Sequence, residues 1–331
     1  MQKRIIYIDA LRGLTIVLVV LSHTLQHFYS DETFVMRAIA SFYIPLFMFL
    51  SGFVSYQLST WNKIEQRFFQ LIIPFCSAML LSWFIHNWGE WSFLNMKNDI
   101  IKVLMQPDLG LWFLWALFFI NVIFLFCRKL AHKIHMNEIA IVISVAFSLN
   151  LIELLTGYRT FGYHWISWYF IFFSIGIYWR IFLPVLERPR IDKMVSITSF
   201  VLFPLLMFFF RMHNEPPLFY RWIDLGNYFP VFYRLLTNFM GVVFFLELFK
   251  HFVRLKEDNL LCRVGTKTLP IYYLHFYCLH FFFRINMGEN KIINVVIILI
   301  LSLLICYNIA KWCKKYRITR FLILGENIFN K

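Results

Sequence analysis

The chain is predicted to be an all-α integral membrane protein: a single bundle of about ten transmembrane helices with both termini in the cytoplasm. Three observations carry this expectation. Of 331 residues, 60% are hydrophobic and only 15% charged, and mean hydropathy is +0.65, well outside the range of soluble globular domains. The apolar residues fall in runs close to the ~20 residues that cross a bilayer. With loops assigned alternately to the two sides, the N-terminus, the even-numbered loops and the tail hold 23 of the 32 Lys and Arg, the bias expected of cytoplasmic segments.

In order, the runs lie at 8–29, 35–57, 68–88, 109–127, 139–156, 165–183, 194–210, 229–249, 268–284 and 292–312. The first carries Arg12 and His23. It is longer than a signal-peptide core and has no small-residue cleavage site, so no cleavable leader is expected. The second contains Pro45 and Ser51-Gly52, which suggests a bent or broken span. The third follows Lys63 and Arg67 and contains Gln70 and Pro74; the fourth starts at Leu111-Trp112-Phe113-Leu114. Glu153 lies in the fifth, Glu247 in the eighth, and Tyr272, His275 and His280 in the ninth. Two connections, His86 to Leu109 and Arg211 to Tyr228, face the exterior on this topology. No polar stretch is long enough for a soluble domain and no repeat is visible, so residues 1–331 form one membrane domain. The six cysteines show no paired spacing and are read as reduced packing residues. The net charge of +14 is a topological bias toward anionic lipid, not a nucleic-acid surface.

Arg12 and His23 are the costly residues. Eleven helical steps of ~1.5 Å and ~100° place them on one face about 16 Å apart. Ionisable groups inside a span mark a buried functional face by default. The plainer alternative is that Arg12 snorkels to the interface and His23 is a satisfied interior histidine. Asp9 is three residues before Arg12 and within pairing reach. Whatever tunes His23 comes from another span, and Glu247, Glu153, Tyr272 and His275 are the candidates. Lys63 and Arg67 share a face at the cytoplasmic boundary, which suits phosphate oxygens and equally suits topology alone. His275 and His280 do not share a face, and His132 with His135 lacks further ligands, so no metal site is expected. Trp88, Trp91 and Trp222 are candidates for sugar stacking or for the aromatic belt.

These segments, in this order, resemble the acyltransferase-3 family of integral membrane O-acyltransferases, within it the group related to bacterial sugar O-acetylases. The resemblance rests on Tyr7 to Gly13 with His23, Pro45-Leu46-Phe47 to Ser51-Gly52-Phe53, Arg67 before Leu71 and Pro74, Leu111 to Leu114, Tyr169-Phe170 to Gly176, and Thr268-Leu269 to Tyr272 and His275. It implies a bacterial inner-membrane O-acetyltransferase moving an acetyl or acyl group from acyl-CoA to a hydroxyl of a surface-polysaccharide sugar or its lipid-linked precursor. By resemblance His23 is catalytic, Arg12 acts with it, and Arg12 and Arg67 serve the acyl-CoA side. The family usually has a second arginine where this chain has Gln70, and Lys63, one turn earlier, is the substitute. Two other classes stay open: a multispan transporter or flippase of lipid-linked sugars, and an acyltransferase centred on His275 that acts on lipid or protein. The acceptor sugar and the oligomeric state are not legible.

Overall fold

The computed structural model describes residues 5–87, 92–212, 217, 229–253, 256, 259–285 and 288–327. Among these the regular structure is helical, without strands. The helices are α1 (Ile6–Phe28), α2 (Phe34–Ala40), α3 (Tyr43–Val54), α4 (Trp61–His86), α5 (Phe93–Met105), α6 (Trp112–Ile134) and α7 (Glu138–Thr156). Then follow α8 (Tyr163–Leu186), α9 (Pro189–Phe209), α10 (Phe229–His251), α11 (Leu260–Gly265), α12 (Thr268–Phe282), α13 (Lys291–Cys313) and α14 (Arg317–Leu322). Nine segments among the described residues are helices long and apolar enough to cross a membrane. The protein is a multi-pass helical membrane protein, as its composition predicts.

Local chemistry sets the boundaries. Thr33 accepts from the Met36 amide at the start of α2, and Asn137 accepts from the Ile139 and Ala140 amides at the start of α7, satisfying amide groups that a helix start leaves free. Pro189 opens α9, where its missing N–H costs nothing. The bend expected in the second span lies at Ser41–Phe42, ahead of Pro45, and Ser51-Gly52 stays helical within α3. Pro45 falls in the first turn of α3, so the break just before it frees the backbone that proline could not satisfy. The ninth expected span is α12, with 15 residues. Lys267 and Thr266 separate it from the short α11, which lies ahead of the expected span. The 86–109 connection holds α5, tied to α4 by Trp83 Nε1 donating to Asp99 Oδ2 at 3.1 Å.

The chain divides into two compact units, Met1–Ser51 with Trp179–Ile309 and Gly52–Tyr178 with Ala310–Lys331. In the first, α1 lies against α10, α11 and α12, and α9 against α10. Phe42 stacks on Phe245 at 3.9 Å and meets Phe203 edge-on at 5.9 Å. In the second, α4 lies against α5, α6 and α14, and α6 against α7. Its polar groups are joined across helices: Arg128 and Tyr178 both hold Glu138, and Asn150 Nδ2 donates to the Ser167 carbonyl at 2.9 Å. Such pairing is what a nonaqueous surrounding demands of polar side chains. All six cysteines are free thiols, with the sulfurs of Cys278 and Cys306 3.5 Å apart.

Candidate active site

The polar stripe of α1 is continuous, because α1 is an unbroken helix from Ile6 to Phe28. Arg12 Nη1 lies 3.7 Å from Asp9 Oδ1, and Nη2 donates to Thr268 Oγ1 at 3.2 Å. Thr268 reaches Arg12 because α11 touches α1 backbone to backbone. A methyl carbon on Gly13 would stand 2.0 Å from the Leu261 carbonyl oxygen, and one on Gly265 1.8 Å from that of Asp9. Only glycine permits so close an approach. The two glycines of the Tyr7–Gly13 and Gly265–His275 segments therefore press α11 onto the first turns of α1 and deliver the start of α12 to Arg12.

From there α12 runs beside α1, and its next polar residues meet His23. The His23 and His275 rings stack at 5.5 Å and 29°, and Phe276 lies 4.8 Å from His23. His23 Nδ1 is 3.2 Å from Gln26 Oε1. An amide oxygen only accepts, so Nδ1 carries the proton and Nε2 keeps a lone pair. His275 is fully buried; its Nδ1 is 2.6 Å from the Tyr272 carbonyl oxygen, and its Nε2 has no hydrogen-bond partner among the described residues. The Tyr272 ring lies 5.4 Å from that of His275. Of the four expected tuning residues, His275 touches His23 and Tyr272 holds His275. Glu247 is engaged by Ser196 at 2.7 Å and His251 at 3.2 Å, and Glu153 accepts from Ser167.

In the second unit, Lys63 and Arg67 project from the first turns of α4 back onto the connection from α3. Lys63 Nζ donates to the Gln57 carbonyl, and Arg67 Nη2 donates to Ser55 Oγ at 2.8 Å. Arg67 Nη1 donates to Gln70 Oε1 at 2.9 Å, so the residue that replaces the family's second arginine orients the first. Arg128, from α6, donates to the Tyr56 carbonyl at 3.3 Å. Lys63 and Arg67 thus border one short turn together with Arg128, whose charge is met by Glu138 at 3.0 Å.

Sequence reasoning missed Gln26, Thr268, Phe276 and Ser55 as partners. Gln26 was within reach of it, being three residues beyond His23 on one helix; the others come together only through folding. Trp88, Trp91 and Trp222 lie outside the described residues. Among the described residues, Asp192, Glu247 and His251 have ligand-type atoms within 4.8 Å of one another. Lys250 pairs with Asp192 and Ser196 with Glu247, which makes the group an ion-pair network that a metal would have to dismantle.

Comparison with known proteins sets this geometry in context. No solved structure matches the chain. The nodulation protein NolL of Mesorhizobium japonicum is 24% identical over 196 residues, covering 54% of this chain and 52% of that protein, so the chain spans about half the length of that relative. Residues 5–311 match the family described as Acyltransferase domain, a stretch that holds Arg12, His23, Arg67, Thr268 and His275 alike. On that match, this multi-pass membrane protein belongs to the acyltransferase-3 family.

Proposed function

We propose that the protein is a membrane O-acetyltransferase, moving an acetyl group from acetyl-CoA to a hydroxyl of a surface-polysaccharide sugar or its lipid-linked precursor, in the inner membrane of a bacterium with both termini cytoplasmic. The observation that carries this reading is His23: a histidine on a membrane helix, backed by an apolar wall and a second imidazole, with its Nδ1–H held by Gln26. That arrangement leaves His23 one basic nitrogen, the group that general-base acyl transfer requires. Membership of the family supports the reaction class.

His23 Nε2 takes the hydroxyl proton as the oxygen attacks the thioester carbonyl. The tetrahedral intermediate collapses, the C–S bond breaks, and the imidazolium returns the proton to the departing thiolate. The products are the O-acetyl ester and free coenzyme A. Arg12 lies about 16 Å from His23 along α1, a span that suits a phosphate-bearing headgroup near Arg12 and a pantetheine arm reaching toward His23. The family resemblance assigns Arg67 and Lys63 to the acyl-CoA side, and Gln70 orients Arg67. Phe276 packs against His23 at 4.8 Å, and keeping water from the reacting carbonyl favours transfer over hydrolysis.

The test is proton NMR of surface polysaccharide from cells lacking this protein, complemented with the parent chain or with His23→Ala. Base-labile O-acetyl signals restored by the parent alone are expected. Signals unchanged in all three strains would overturn the polysaccharide acceptor, and signals restored by His23→Ala would remove His23 from catalysis.

A further inference from the structure

Resting on the acyl-transfer reading, we propose that His275 touches substrate: its Nε2 accepts a hydrogen bond from a second hydroxyl of the acceptor, next to the one that His23 deprotonates, so that the site selects an adjacent diol. His275 is fully buried on α12, and its Nδ1 sits 2.6 Å from the Tyr272 carbonyl oxygen. A carbonyl only accepts, so Nδ1 carries a proton. A buried ring whose hydrogen-bond partners are backbone carbonyls of its own helix is tolerated only uncharged, which leaves Nε2 a bare acceptor, and no group among the described residues fills it. Buried acceptors left open are rare enough to require a reason.

The neighbouring ring supplies that reason. His23 stacks on His275 at 5.5 Å, and its Nδ1 is likewise occupied, by Gln26. The two imidazoles therefore present two lone pairs and no proton between them. A carboxylate, a phosphate or an ester carbonyl brought here would meet only lone pairs. A lone hydroxyl donates one hydrogen and satisfies one ring, whereas adjacent hydroxyls on a sugar donate one each. The other donor within the reaction is an amide N–H of the pantetheine arm, and the experiment separates the two.

The test uses the full chain in membranes with radiolabelled acetyl-CoA and purified, de-O-acetylated surface polysaccharide as the acceptor probe, comparing the parent with His275→Gln and His275→Asn. The glutamine amide reaches the Nε2 position and supplies an acceptor there; asparagine reaches only the Nδ1 position. We expect His275→Asn to raise the acceptor KM or lower transfer by tenfold or more, to leave the KM for acetyl-CoA at the parental value, and His275→Gln to recover part of the loss. Parental transfer by His275→Asn would overturn the proposal. A tenfold rise in its acetyl-CoA KM alone would also overturn it, assigning Nε2 to the pantetheine amide. If neither variant accumulates, the 15N resonance of His275 Nε2 in the parent chain decides: an upfield movement on adding the polysaccharide supports the contact, and no movement overturns it. A parent chain that transfers no acetyl group would instead remove the acyl-transfer reading, and the 15N experiment, which needs no turnover, tells the two failures apart.

Discussion

Replacing Gly265 by alanine adds a single carbon at the point where α11 presses on α1, and its consequences follow from distance. The new Cβ would stand 1.8 Å from the Asp9 carbonyl oxygen and 2.9 Å from the Gly13 nitrogen. A carbon–oxygen contact settles near ~3.3 Å, so the helices must separate by about 1.5 Å. Both neighbouring atoms belong to the backbone and have no rotamer to yield. Overpacking of this kind costs about 1–3 kcal/mol. The same displacement carries Thr268 away from Arg12, stretching a 3.2 Å hydrogen bond past the range in which it holds. A misplacement of about 1 Å at a reacting constellation costs on the order of 10²-fold in rate. Gly265→Ala should therefore lower Tm in detergent and reduce acetyl transfer in membranes by roughly that factor. Gly13→Ala faces the Leu261 carbonyl at 2.0 Å and is relieved by the same separation. The double variant should lose less than the sum of the singles, because neighbouring sites couple. Parental Tm and parental transfer in Gly265→Ala would refute the reasoning, since the helix spacing would then not depend on that contact.

Thr268→Val removes the hydroxyl that receives Arg12 and should reduce transfer by several-fold, with Thr268→Ser close to parental; steady-state rates in membranes check this. Gln70→Arg gives the chain the family's second cation and takes away the Arg67 partner held at 2.9 Å. It should change the KM for acetyl-CoA while leaving the acceptor KM alone, and equal effects on both would sink the donor-side assignment. Ser196→Ala withdraws a 2.7 Å hydrogen bond from the buried Glu247 carboxylate. A hydrogen bond to a charged group is worth about 1.5–3 kcal/mol, and a lowered Tm with transfer retained is expected. Gln26→Leu frees the His23 ring from its Nδ1 anchor and should lower kcat more than either KM; a pure KM effect would argue against an orienting role.

Residues differ in how much of their role was open to inspection. That α1 spans the membrane with Arg12 and His23 on one stripe followed from helical arithmetic and from the cost of charge in hydrocarbon. The pairing of Asp9 with Arg12 is a contact of the same helix and was equally legible. The bend in the second span was expected but lies at Ser41–Phe42, because proline disturbs the backbone before it. The ninth run, 268–284, folds as the 15-residue α12, beginning where the run begins and ending two residues before it does.

Hydropathy and helical period are local, so the sequence by itself determined a multi-pass helical bundle and the face of α1 that bears chemistry. Which residue faces His23 was a matter of helix rotation and separation, and Glu247, Glu153, Tyr272 and His275 were equal on paper. Tertiary structure decided for His275, with Tyr272 behind it, because Gly13 and Gly265 let α1 and α11 meet at backbone distance and so set where α12 begins. Contacts of that kind depend on atoms hundreds of residues apart and on the absence of two methyl groups, and no window of sequence contains both.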